Sequence, residues 1–122
     1  LNKYMGTSVL VSEEIVEGLD GFLIREAGKF RVKGKARPVA AYELIGLREA
    51  SEEKQRSACD IFTEALGAFR RQSWDEAKEK FNRAIEILGE DGPSVFYKRL
   101  CERYKEKQPV EPWDGVVEME NK

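Results

Sequence analysis

The spacing of apolar residues changes partway along this chain, and that change restricts the fold it can adopt. Up to Gly46 hydrophobic side chains alternate with polar ones, as where Phe30 and Val32 sit between Lys29, Arg31 and Lys33. Beyond Lys54 they recur every three or four positions. Alternation suits a strand with one buried face, and the longer spacing suits one face of a helix, so strands followed by helices are expected. The chain is therefore expected to be α+β, with a partial antiparallel sheet first and a helical hairpin plus a third helix after it.

In the first part, Thr7 to Val11 reads as a strand and Ser12 as the N-cap of a helix of about two turns. Glu13 and Glu14 fall in its first turn, where negative charge suits the helix dipole, and Gly18 and Gly21 end it. Glu13, Glu14 and Glu17 are read as dipole partners, not as a metal cluster. Phe22 to Glu43 reads as two strands joined at Lys33-Gly34-Lys35, the second running from Val39 to Ile45 after Pro38. Lys29, Arg31, Lys33 and Lys35 share one face of the first strand, so that face is either an anion site or a solvated, edge-protecting surface. Residues 1–46 contain too little apolar surface for a stable core without disulfides, metal or a partner, and read as an incomplete domain.

Residues 47–56 are a polar linker leading into the helices, which occupy 57–108. Ala58, Phe62, Ala65, Leu66 and Phe69 form one stripe, and Trp74, Ala77, Phe81, Ala84, Ile85 and Leu88 form another. Ser73 and Glu76 match a capping box, in which the serine accepts from a free backbone N–H and the glutamate reaches back to the cap. Gly89 stops the second helix. Pro93 opens a third, whose apolar face is marked by Phe96, Leu100 and Tyr104. Residues 109–122 form a tail in which Trp113 anchors a Trp-Asp-Gly turn ahead of a short strand, Val116 to Met119.

Composition removes whole classes of chemistry. With 21 basic and 23 acidic residues, a net charge of −2 offers no global field to draw nucleic acid, so none is expected as a partner. There is no histidine, which excludes Ser-His and Cys-His nucleophiles and histidine-ligated metals within these 122 residues. Cys59 and Cys101 lack metal-ligand spacing and are expected to be buried free thiols in a reducing compartment. No apolar run approaches the roughly 20 residues of a membrane helix, so the segment is expected to be cytoplasmic and to make no membrane contact itself, even if its parent is anchored. A chain beginning at Leu1 reads as a cut piece of a longer protein.

Two resemblances extend this reading. Lys3-Tyr4-Met5-Gly6-Thr7, Leu10-Val11-Ser12, Phe22 with Arg25-Glu26, Arg31-Val32-Lys33-Gly34-Lys35, Pro38-Val39 and Tyr42-Glu43-Leu44 form an ordered set. As a set they resemble the C-terminal third of a class III adenylate/guanylate cyclase catalytic domain. The helices resemble a tetratricopeptide repeat through Phe69, Trp74-Asp-Glu-Ala77, Phe81 and Ala84, with Gly67 displaced from the family's usual place. The helices and the Trp113-Asp114-Gly115 tail also resemble extensions of bacterial cyclases of this class.

The cyclase resemblance implies a parent enzyme, a phosphorus-oxygen lyase, that converts ATP to cyclic AMP and pyrophosphate between two catalytic domains of a homodimer. It implies two magnesium ions on aspartates upstream of Leu1, with an asparagine and an arginine on an upstream helix. No catalytic residue is then expected in this chain, which would be inactive alone and depend on the remainder of the catalytic domain. The family's phosphate-contacting lysine falls on Lys33, with Lys35 as the alternative, while Lys29, Arg31 and Arg37 are read as surface. The competing reading is a protein-interaction or regulatory module of a degenerate cyclase-like protein, its helices binding a protein partner.

Overall fold

A long strand, β2 (Phe22–Val32), organises the molecule, and its burial pattern changes parity partway along. Leu23, Arg25 and Ala27 are buried, but Lys29 is exposed and Phe30 buried. The structure, a computed structural model, describes residues 10–32, 37–109 and 113–119. Within them β3 (Val39–Leu47) lies antiparallel to β2, with Glu26 opposite Tyr42 and Gly28 opposite Ala41, so Ala27 is the extra residue of a β-bulge. That insertion turns Phe30, and not Lys29, toward the same side as Leu23.

The bulge is matched to one aromatic side chain. Gly28 has φ +134°, and a Cβ on it would sit 1.8 Å from the Tyr97 hydroxyl oxygen. That hydroxyl donates to the Ala27 carbonyl at 2.7 Å, so the extra residue's backbone is satisfied by a side chain. Tyr97 belongs to α4 (Gly92–Glu106), and it touches the rings of Phe30, Phe62, Phe69, Phe81 and Phe96. The helical spacing marked Phe96, Leu100 and Tyr104 as this helix's apolar face. Leu100 is buried, Phe96 and Tyr104 are half-buried, and Tyr97 is the member of the helix that fills the centre.

The remaining elements follow the expected order. β1 (Leu10–Ser12) pairs antiparallel with β3, and α1 (Glu13–Val16) is a single turn, shorter than the two expected, with no side-chain bond from Ser12. Residues 1–9, including most of the expected first strand, lie outside the described set. α2 (Glu53–Arg70) buries every residue of its expected stripe, together with Cys59 and Ala68. α3 (Trp74–Leu88) buries Trp74, Ala77, Phe81 and Ala84 and ends at Gly89, where φ is +87°.

The capping box forms at a different helix from the one expected. Ser73 makes no side-chain cap bond, because it stands in a tight turn after Gln72 (φ 65°), its ψ is 75°, and Glu76 is paired with Arg71 at 3.2 Å. The box forms instead at α2, where the Glu52 side chain accepts from the Gln55 backbone and Gln55 Oε1 accepts from Glu52 N–H at 2.8 Å.

The fold is α+β, but the sheet is mixed and not wholly antiparallel. β4 (Val117–Met119) pairs parallel with β2, setting Phe30, Arg31 and Val32 opposite Val117, Glu118 and Met119, and the strand order is β1-β3-β2-β4. Three helices intervene between β3 and β4, a connection long enough to bring the chain back in the direction of β2. Ala27, Phe30, Ala41 and Val117 of the sheet share one hydrophobic cluster with Phe62, Leu66, Phe69, Phe81 and Tyr97 of the helices. Among the described residues no helix is long and apolar enough to cross a membrane.

A buried cation links the two layers. Arg25 Nε donates to Glu43 at 2.8 Å and its Nη1 donates to Asp91 at 2.9 Å, while the guanidinium lies 4.5 Å over the Phe62 ring. Removing one member of such a cluster strands buried charge, which costs roughly 3–5 kcal/mol. Arg25→Ala is therefore expected to lower the unfolding free energy by about that amount in urea titration, whereas Lys29→Ala on the exposed side of the same strand should change it by no more than about 0.5 kcal/mol. Equal effects of the two substitutions would remove the cluster from its structural role.

Candidate functional site

The sequence directs attention to the far end of the β2–β3 hairpin. β2 and β3 last pair at Phe30 and Val39, so Arg31 and Val32 project beyond the ladder with β3 and pair with β4 instead. Lys33 and Lys35, the residues read as phosphate contacts, lie outside the described residues, as do Gly34 and Ala36. On the described flanks Lys29 and Arg37 are exposed.

Arg31 differs from its neighbours. Its Nη2 donates to Asp114 Oδ2 at 2.9 Å and its Nη1 donates to Glu118 Oε2. The hydrogen bonds it donates to Asp114 and then to Glu118 hold its pKa above the ordinary arginine value. The basic alternation read from the sequence is thus not a uniform cationic face, because the C-terminal tail neutralises Arg31. Asp114 is itself set by the turn: its Oδ1 accepts from Val116 N–H at 3.1 Å, and that bond, followed by Arg31, keeps its carboxyl below the usual range.

Trp113 anchors the tail, as its place beside the turn implied. Its ring lies 5.3 Å from Phe69, 5.5 Å from Trp74 and 6.0 Å from Tyr104, in tilted or edge-on contacts. Gly115 follows with φ +79°, and a Cβ there would press on Arg70 Cγ at 3.2 Å. Arg70 in turn pairs with Glu26 of β2 at 2.8 Å. The tail is therefore fastened to α2, α3 and α4 by an aromatic ring and to β2 by strand pairing and charge.

A second charged group lies inside the molecule. Asp91 accepts from both terminal nitrogens of Arg25 and from Ser94 Oγ, and Glu43 completes the cluster. Burial works against the Arg25 charge, but Asp91 and then Glu43 outweigh it and raise the arginine pKa. A guanidinium fixed in this way neither gives up a proton nor reaches solvent, so the cluster is a clasp and not a proton-transfer site. Its members carry no sequence signal as a group, because Arg25 and Asp91 stand 66 positions apart.

Magnesium, implied by the cyclase resemblance, has no fitting ligand set among the described residues. Among the described residues no group of three or more Asp, Glu or Cys side chains is arranged to hold a metal ion. Glu26, Glu43, Asp91, Asp114 and Glu118 all carry arginine partners.

No protein-family model matches the chain, and no solved structure matches it. The chain is 30% identical over 90 residues to the adenylate cyclase, terminal-differentiation specific, of Dictyostelium discoideum. That match covers 73% of this chain, which spans about 4% of the relative's length. The chain is thus related in sequence to an adenylate cyclase. A match of that extent within 122 residues takes in β3, α2 and α3 wherever it begins, so the relationship reaches beyond the hairpin into the helices.

Both cysteines are free and buried, as their isolation in the sequence led one to expect. Burial raises the Cys59 thiol and pushes Cys101 up to about 12. Since the thiolate is the reactive form, neither is expected to react with a thiol-specific reagent at mildly alkaline pH until denaturant is added. Rapid labelling of either thiol in the folded protein, measured by intact mass, would contradict the packing around α2 and α4.

Proposed function

We propose that this chain is the C-terminal part of a class III adenylate cyclase catalytic domain joined to a helical extension. The parent enzyme would convert ATP to cyclic AMP and pyrophosphate. The observation that carries this reading is the similarity to an adenylate cyclase over 90 residues, together with the ordered motif from Lys3 to Leu44. In this reading the catalytic and metal-holding residues lie on other parts of the parent. Two magnesium ions there supply charge neutralisation on the phosphates. The active unit is a homodimer in the cytoplasm.

In this reading the chain contributes Lys33 as the contact to the outer phosphates of ATP, the role the cyclase resemblance implies for it. Charge accumulates on pyrophosphate as it departs, and a cation fixed at that position lowers the barrier more than it tightens ground-state binding. Gly34 leaves the backbone free of a side chain beside the phosphate. Lys33→Ala in the full-length enzyme is expected to reduce kcat by roughly 100- to 1000-fold with a smaller change in KM for ATP, as for loss of one preorganised transition-state contact. Unchanged kinetics would remove Lys33 from the site and pass the role to Lys35.

The helices, read as tetratricopeptide-like, serve first as the mounting of the sheet. Phe30, Ala41 and Val117 pack against them, and Arg25 and Glu43 find Asp91 only across that boundary. Deleting residues 47–122 from the parent is expected to leave an insoluble catalytic domain. A soluble, dimeric and active deletion protein that lost only its response to a binding partner would favour the regulatory-module reading.

A further inference from the structure

We infer that the β2 edge and the aromatic socket beside it form a peptide-recognition groove, filled here by the chain's own tail, residues 113–119, and able to take the same tail from a second copy. The groove is independent of the function proposed above. The tail's contacts are those of a bound peptide. Its strand runs parallel to β2, with Val117, Glu118 and Met119 opposite Phe30, Arg31 and Val32. Strand addition of this kind draws affinity from the main chain and specificity from side chains set into separate receptors.

Those receptors are present along the tail. Trp113 lies against the rings of Phe69, Trp74 and Tyr104, which come from α2, α3 and α4. Gly115 has φ +79°, and a Cβ there would stand 3.2 Å from Arg70 Cγ, so the groove favours glycine at that position. Val116 and Val117 are buried. Asp114 and Glu118 accept from the two terminal nitrogens of Arg31, whose charge suits an acidic segment.

The receptor side is built from β2 and the three long helices, whose shared cluster is centred on Phe62, Phe69, Phe81 and Tyr97. To that cluster the tail adds Val117, with Trp113 packed against it. Its hold is that of a short peptide. β4 has three residues, and the Asp114 and Glu118 side chains are 56% and 61% exposed, where ion pairs add little. The short connection to α4 gives the tail an effective concentration on the order of millimolar, and this local excess holds it in place against a free competitor. Two copies that exchange tails form a closed pair, since each groove receives what the other gives.

The test uses the 122-residue chain carrying Trp113→Ala/Glu118→Lys, which loosens the tail and leaves the groove intact, with an end-capped synthetic peptide of residues 113–119. Titration followed by amide NMR is expected to give saturable shifts at Phe30, Arg31 and Val32. A peptide with alanine in place of its tryptophan is expected to bind at least about tenfold more weakly. The wild-type chain is also expected to bind the peptide at least about tenfold more weakly than the variant does, because its tail competes in cis. An Arg31→Glu chain, whose groove repels its own tail, is expected to donate that tail and displace the peptide. Gly115→Val frees the tail by a second route, through its clash with Arg70.

A folded variant that binds no peptide overturns the inference, as do shifts confined to other parts of the molecule. Equal affinity for the alanine peptide, equal affinity of the wild-type chain, or failure of the Arg31→Glu chain to compete overturns it too. Loss of the dispersed amide spectrum in both freed-tail variants makes the tail part of the core and has the same result.

Discussion

A single buried guanidinium decides how the two halves of this molecule meet. Arg25 stands on a strand whose neighbours on the same face are apolar, and it could not remain charged there without partners. Glu43 comes from the adjacent strand and Asp91 from the start of α4, so the desolvation of one arginine is offset only when sheet and helices are already in place. Apolar packing tolerates several arrangements of similar volume, whereas a fork of hydrogen bonds to two carboxylates accepts few. The cluster therefore supplies register more than adhesion, and the aromatic core around Tyr97 supplies the adhesion.

The bulge at Ala27 and Gly28 converts that register into a usable surface. On the Leu23 side of it the buried positions include the arginine, and beyond it they pass to Phe30, leaving Lys29 and Arg31 on the other face. Without the extra residue the basic side chains near the hairpin end would turn toward α4 and Phe30 toward water. Gly28 is the residue that permits this, because the Tyr97 hydroxyl occupies the space a side chain would need.

Much of this was legible in the sequence. The period change at residues 47–54 marks the passage from strands to helices, and the stripes through Phe62 and Phe81 name mostly buried core residues, although Ile85 and Leu88 at the end of the second stripe are only half-buried. What was not legible has a common cause, namely pairing between distant residues. Tyr97 sits one position from the marked Phe96, and its burial depends on a bulge 70 residues earlier. Arg25 reads as an ordinary strand charge until Asp91 is brought to it. The parallel β4 could be expected as a strand from Val116 to Met119, but its neighbour and direction follow from how three helices fold back. Glu118, a lone carboxylate between apolar residues in that short strand, was the one available hint that a cation awaited it. Ser73 and Glu76 show the converse, a local motif outcompeted by the turn that precedes it and by Arg71. Lys33 and Lys35 were singled out by resemblance and charge alternation, and neither falls among the described residues.

The pairing of β2 with β4 also has a consequence for how the chain acquires its structure. Arg31 and Glu118 are separated by 87 positions, so the edge of β2 must wait through synthesis of all three long helices before its last neighbour exists. Contacts of such long range form late, because closing the intervening loop is entropically costly until other structure has shortened it. During that interval the β2 edge is an unpaired strand beside an apolar core, the kind of surface through which nascent chains associate wrongly. Lys29 and Arg31 put positive charge on that edge, a feature that disfavours pairing with a like-charged edge, and in the folded chain Asp114 and Glu118 pair with Arg31.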